Sequence, residues 1–195
     1  GISAFLDHDC FRSSRDLGEA KDNLVDKWME ARKRTAPSGL LVLAYRRVDV
    51  ADLNARIRHR LKELGELQDG RTMRTSKGEC DFAVGDRIVF LRNDRALKVR
   101  NGSFATVEAV TAHGLTVRLD GGNEPSRRLK FDVRDYPDID HGFATTIHKS
   151  QGSTVDRTFV LGTSHLDAHA AYVALSRHRD SVSLHYVEDE FPSRQ

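Results

Sequence analysis

The sequence predicts an α/β parallel-sheet layer interrupted by a small antiparallel β-barrel, and three patterns carry that reading. Residues 40–45, LLVLAY, form a continuous apolar run of the kind shown by a parallel strand covered on both faces. Two segments with helical apolar spacing flank it, so the order is helix, strand, helix. From residue 82 the period changes. FAVGDRIVFLRND, GSFATVEAVTAHGLTVRLDGG and SRRLKFDVRDY are short alternating segments rich in Val, Ile, Phe and Thr, as in a small barrel.

In chain order, SRDLGEAKDNLVDKWMEARKR repeats Leu17, Ala20, Leu24, Val25, Trp28 and Met29 along one helical stripe, and Pro37-Ser38-Gly39 breaks it. After the 40–45 strand, DVADLNARIRHRLKELGEL carries Val50, Leu53, Ile57, Leu61 and Leu64 at helical spacing. The polar, Gly-containing stretch 65–80 is expected to be a linker. Asn101-Gly102, His113-Gly114 and Gly121-Gly122-Asn123 supply the turns of the alternating region. A covered strand (154–163), a helix (165–179) and a closing strand (181–188) then restore the α/β style. The organisation expected is therefore an α/β domain made of residues 1–80 and 139–195, with a barrel at 81–138 inserted between them.

The 195 residues suffice for one medium domain or two small ones. A net charge of +2 neither demands nor excludes a nucleic-acid partner, because a basic groove can hide inside a balanced total. Cys10 and Cys80 fit no metal-ligand spacing and are expected as free thiols in a reducing compartment. No apolar run reaches the roughly 18 residues of a membrane span, and no signal peptide is visible. No membrane insertion and a cytoplasmic location are therefore expected. The start at Gly1, without methionine, suggests a piece of a longer protein.

The segment FATTIHKSQGSTVD, residues 143–156, contains Lys149-Ser150 and a glycine, the ingredients of a phosphate loop. Such a loop needs its glycines before the lysine, so that backbone amides wrap the phosphates. Here Gly152 comes after, so the segment is not a phosphate loop. Thr146, His148, Lys149, Ser150 and Gln151 still place hydroxyl, imidazole, ammonium and amide groups within six residues. They suit a phosphodiester backbone or a place beside a nucleotide; a solvated turn is the plainer alternative. Downstream, YVALSRHRD puts Tyr172, Ser176 and Arg177 where a helix runs into a strand.

In this combination the chain resembles superfamily 1 helicases: FATTIHKSQGSTVD is similar to their motif V and YVALSRHRD to motif VI. Within them it resembles RecD-like enzymes and the TraA/TraI-type relaxase-helicases of conjugation. VLAYRRVDVADLNARIR is similar to motif IVa, and GDRIVFLRND with Asn101-Gly102 to the SH3-like insertion of RecD-like enzymes. The resemblance covers about residues 40–190. It implies a RecA-like second lobe of the P-loop NTPase kind, with an inserted SH3-like barrel. It implies single-stranded DNA contacts at Thr145, Thr146, His148 and Lys149. It also implies a nucleotide-facing set of Gln151, Gly152, Ser153, Thr154 and Arg47, with Arg177 as an arginine finger. Motif IVa usually has Thr before its Arg; here Arg46-Arg47 stands there, so Arg47 faces nucleotide or strand, or forms a solvated turn pair.

The implied cofactor is ATP with Mg2+, held mainly by a first RecA-like lobe. This chain has neither a Gly-rich Lys-Ser/Thr loop nor an Asp-Glu pair after a covered strand; Glu188–Glu190 follows the last motif. The implied partners are single-stranded DNA, the rest of the same polypeptide (first lobe and relaxase domain) and other conjugation proteins. By itself the fragment is expected to be inactive as an ATPase. The second function class is a non-catalytic module, of helicase descent, that only binds single-stranded DNA or protein. His165 and His169, four apart around Asp167, are expected to open a polar helix rather than hold a metal. Arg92, Lys98, Arg100, Arg127, Arg128 and Lys130 either line a strand path or form the barrel's solvated face, and Phe90 and Phe104 are expected in its core.

Overall fold

The computed structural model describes residues 11–150 and 152–188. Cys10, Gln151, Asp189 and Glu190 lie outside the described residues. The chain forms two compact units, one from the residues up to Arg56 together with those from Ala144, the other from Ile57–Phe143.

The first unit holds strands β1 (Phe11–Ser14), β2 (Leu40–Ala44), β10 (Ala144–Thr146), β11 (Val155–Gly162) and β12 (His178–Val187). They form one sheet in the order β1-β12-β11-β2-β10, with every pairing parallel. All five residues of β2 are buried, which explains the unbroken apolar run. Helix α1 (Leu17–Ala31) packs Leu24, Val25, Trp28 and Met29 inward. Asp16 caps it by accepting the Glu19 N–H, and the Glu19 carboxylate returns to the Arg15 N–H. Helix α2 (Arg47–Glu63) follows β2 after Tyr45 and Arg46, and α3 (Ala168–Leu175) precedes β12. Lys21 of α1 is buried and bridges Asp49 and Asp52 of α2 at 2.9 Å each.

His185 of β12 is fully buried, with Nε2 2.7 Å from the Ser183 hydroxyl. Burial, and then the charges of Arg12 and Lys27, lower its pKa to about 4 from an ordinary 6.5. The unfolded chain therefore takes up a proton below pH 6.5 that the native state refuses until about pH 4. Stability is complete above 6.5 and is expected to fall by about 3 kcal/mol in total as pH drops through that window. Urea midpoints measured from pH 8 to 4 should show this slope, and His185→Leu should flatten it. An equal slope in both proteins would refute the assignment.

The second unit contains the hairpin β3 (Arg71–Thr75) and β4 (Gly78–Phe82), then β5 (Arg87–Phe90), β6 (Phe104–Val110), β7 (Gly114–Leu119), β8 (Arg127–Asp132) and β9 (Ile139–His141). The last five form an antiparallel sheet in the order β8-β7-β6-β5-β9. Phe82, Ile88, Phe90, Val117, Phe131 and Tyr136 are among the residues of its core. Phe104 is also buried.

Two expectations need correction. Residues 65–80 are not all linker: Arg71–Thr75 pairs with Gly78–Phe82, and Met73 and Phe82 enter the second core. The polar reading failed because only alternate residues of β3 turn inward. The compact units also divide at 56/57 and 143/144 rather than at 80 and 138. Ile139 belongs to the second core, and β9 pairs with β5, which draws 139–143 into that unit.

In the second unit, Gly85 has φ +97°, a left-handed conformation that disfavours side chains. It precedes Asp86, whose carboxylate is fully buried. Asp86 Oδ1 accepts from Arg58 Nε at 2.8 Å, and Oδ2 accepts the Ala83 N–H at 2.8 Å. The next residue, Arg87, makes two 2.6 Å bonds to Asp120. Much of the GDRI segment is therefore explained by folding alone.

Candidate functional site

Strands β11, β2 and β10 are adjacent and parallel, so the residues that follow each of them gather at one edge of the sheet. Ligands of open parallel sheets bind at this carboxyl edge. Tyr45 follows β2, His148 follows β10, and His165 follows β11. The Tyr45 and His148 rings meet edge to face at 5.6 Å, and Tyr45 stacks on His165 at 6.4 Å with an 18° interplanar angle.

The segment after β10 is a tight turn. The Ile147 N–H reaches the Ala44 carbonyl at 3.1 Å, tying the turn to the end of β2. The Ser150 N–H reaches the Thr146 and Ile147 carbonyls at 3.2 Å, and its hydroxyl donates to Ile147 O. Ser150 is fully buried, so it builds the turn. Thr146 Oγ1 accepts the Lys149 N–H at 3.2 Å. His148 is exposed; Thr146 and Lys149 are half-buried. Thr145 is only 3 % exposed and pairs with Leu43 inside the sheet, so it leaves the set of candidate strand contacts. Asn54 of α2 holds both backbone groups of Ala144, at 2.9 and 3.1 Å, and so fixes where β10 begins.

From this turn the chain crosses to the opposite edge. The Ser153 N–H returns to Ser150 O at 3.0 Å, and the Val155 N–H reaches Arg177 O at 3.1 Å. Val155 is in register with His178, so Thr154 and Arg177 lie at the amino ends of β11 and β12, while Gly152 and Ser153 sit in a second turn on the path between the two edges. Gly152 has φ +82° with open space where a Cβ would sit, and it is exposed, so its backbone is accessible. Arg177 is half-buried, and its Nε is buried with no hydrogen-bond partner among the described residues. A buried guanidinium nitrogen without a partner is costly unless a ligand completes it.

The two edges are separated by at least the length of β2, roughly 16 Å. Arg47, exposed as the first residue of α2, lies at the carboxyl edge beside Tyr45 rather than with Arg177. Its neighbour Arg46 is committed to Asp49 through two bonds of 2.8 and 3.2 Å. Burial raises the Asp49 pKa, but hydrogen bonds and charge from Arg46 and Lys21 outweigh it and hold the carboxyl below its usual range.

Among the described residues one group of three could offer ligands to a metal: Cys80, Asp140 and His141, with donor atoms within 4.8 Å of one another. Burial, then the charge of Asp140, pushes the Cys80 thiol up to about 12, so it rests protonated. His141 Nε2 lies 2.7 Å from the Asp81 carbonyl, and Lys77 sits 3.4 Å from Asp140. Existing bonds account for this cluster. His169 is exposed on α3 and Asp167 caps that helix through the Ala170 N–H at 2.7 Å, as a polar helix start requires.

Sequence reasoning missed Tyr45, His165, Asn54 and the Lys21–Asp49–Arg46 chain. Tyr45 alone carried a local signal, since it directly follows a covered strand. Arg92, Arg118 and Arg128 pair with Asp138 and Glu108, and Arg127 donates to the Leu97 and Lys98 carbonyls. No helix among the described residues is long and apolar enough to cross a membrane.

Comparison with known proteins agrees with this geometry. Residues 68–186 match the family model of the viral superfamily 1 RNA helicase core domain. The conjugal transfer protein TraA of Rhizobium radiobacter is 38% identical over 190 residues, 97% of this chain and 17% of that protein. TraA of Agrobacterium fabrum is 43% identical over 169 residues, covering 86% of this chain and 15% of its own length. The chain thus spans less than a fifth of these relatives. The ATP-dependent DNA helicase Pif1 of Bdellovibrio bacteriovorus is 35% identical over 116 residues, 53% of this chain and 26% of that protein. Among solved structures, Bacteroides Pif1 helicase in complex with ADP-AlF3 and ssDNA shares the fold, with TM-score 0.57 and 22% identity over 88% of this chain and 49% of that one. Parallel sheet, motif segments and a family match over more than half of the length converge: the chain belongs to the superfamily 1 helicase core family.

Proposed function

We propose that this chain is the second RecA-like lobe of an ATP-dependent DNA helicase of the conjugal-transfer type, with an SH3-like insertion. One observation carries the reading: residues 147–155 run from the turn bearing His148 to a backbone bond with Arg177, joining the two edges of one sheet. Thr146, His148, Lys149 and Arg47 hold the phosphodiester backbone of single-stranded DNA at the carboxyl edge. Gly152 presents an accessible backbone on the path to the amino edge, and Gln151, Ser153 and Thr154 complete the nucleotide-facing set.

ATP with Mg2+, held mainly by a first lobe of the same polypeptide, supplies the phosphoryl group whose transfer is the chemistry. Arg177 suits that cofactor, because its buried Nε has no partner among the described residues. Its guanidinium neutralises the charge that develops on the phosphoryl oxygens, a role worth several orders of magnitude when an arginine is supplied from a second body. Movement of the short 147–155 segment couples nucleotide state to grip on the strand. The whole protein works in the cytoplasm beside a relaxase domain and other conjugation proteins.

The test is a titration of labelled oligothymidylate with the 195-residue chain. His148→Ala is expected to weaken binding about tenfold, the scale of one hydrogen bond to a charged group. Unchanged affinity, or a wild-type chain that does not bind, would remove the strand assignment.

A further inference from the structure

The carboxyl edge of the first sheet carries an arrangement of rings that motif reading does not name. Tyr45 is half-buried and sits between two imidazoles, His148 edge-on at 5.6 Å and His165 stacked at 6.4 Å. The three rings come from three different loops, after β2, β10 and β11, and both histidines are exposed. His165 is not on a loose tether. The Leu166 N–H closes a turn onto the Thr163 carbonyl at 2.9 Å, and Asp167 begins α3 immediately afterwards.

We propose that Tyr45, His148 and His165 form a stacking site for an unpaired nucleobase, in which His165 receives the base and Tyr45 positions both imidazoles. The inference rests on the reading of this edge as the DNA-binding surface. The ring order supports it. His165 lies near-parallel to Tyr45, at 18° with centroids 6.4 Å apart, and it is exposed, so a base reaches it from solvent. A base placed there continues the stack without displacing any core side chain. Histidine rings stack on splayed bases as other aromatics do, and every base offers a π-face, so such a site tolerates sequence. Lys149 and Arg47 occupy the same edge and supply cations for the flanking phosphates.

Tyr45 is a positioning residue here. It fixes the plane of His165 and the edge of His148 from a backbone position anchored by fully buried β2. A base step and a phosphate step are thereby held at a set spacing, which matters to a protein that advances along a strand.

The test compares the 195-residue chain, wild type and variants, on oligothymidylate and on an abasic strand of equal length. His165→Ala and Tyr45→Leu are expected to weaken oligothymidylate binding about 5- to 20-fold, the lower part of the range for one stacked base. On the abasic strand His165→Ala should match wild type and Tyr45→Leu should lose less than it does on oligothymidylate, and Tyr45→Phe, which keeps the ring, should bind oligothymidylate as wild type does. Unchanged oligothymidylate binding by His165→Ala, or equal losses on both strands, overturns the stacking site. If His148→Ala still weakens binding in that case, the DNA-binding surface stands and the stacking site alone falls. If wild-type protein binds neither strand, the broader reading falls as well.

Discussion

Arg177→Ala, in a protein that joins this chain to an ATP-binding lobe, is expected to slow strand-stimulated ATP hydrolysis by about 10³-fold or more. Affinity for single-stranded DNA should be retained, because Arg177 lies at the amino edge of β12 and the strand contacts at the opposite one. The orphaned Nε is the structural reason to expect a large effect. Arg177→Lys should not restore the rate, since a point ammonium lacks the planar fork that meets two oxygens at once. The 195-residue chain by itself should turn over no ATP. Hydrolysis by the isolated chain that Arg177→Ala abolishes would overturn the assignment to a second lobe. Hydrolysis by the joined protein that Arg177→Ala leaves untouched would favour the non-catalytic binding module.

Asp86→Ala should be among the most damaging single changes in the second unit, at about 3–5 kcal/mol of stability. Asp86 is fully buried and Arg58 nearly so, and the pair is joined at 2.8 and 3.0 Å. Removing the carboxylate strands a guanidinium and also frees the Ala83 N–H that Asp86 accepts. Asp81, 2.9 Å from the same guanidinium, remains and sets the lower end of the range. Chemical denaturation of wild type and Asp86→Ala measures the difference. Asp86→Asn, which keeps an acceptor, should lose less. A loss below about 1 kcal/mol for Asp86→Ala would mean that Asp81 carries the interaction alone.

The main elements of the first unit were legible because their signals are local. Burial of all of Leu40–Ala44 leaves no polar alternate, and the stripe through Leu24, Val25 and Trp28 needs only helical geometry to converge. The hairpin of β3 and β4 was not legible. Arg71, Thr72 and Arg74 are exposed, and Met73 is a single inward apolar residue in a polar stretch. Strands β1 and β10, of four and three residues, are too short for any period to register. The same limit hid the chain's division into units, since Ile139 has no local mark of the core it joins.

For the site, the segment 143–156 and the arginine at 177 identified the family and named most of the candidate contacts from residue types and order alone. Which of them share an edge was decided by tertiary structure. Thr145 and Thr146 are chemically equal in sequence, but strand alternation buries the first and leaves the second half-exposed. Tyr45 and His165 are distant in the chain and meet only because β11 lies beside β2 in a parallel sheet. Residue chemistry and short-range periodicity are written along one dimension, and they determined the strands, the helices and the motifs. Strand order and burial arise from long crossovers closing on a common core, and these separated the carboxyl edge that bears His148 from the amino edge that bears Arg177.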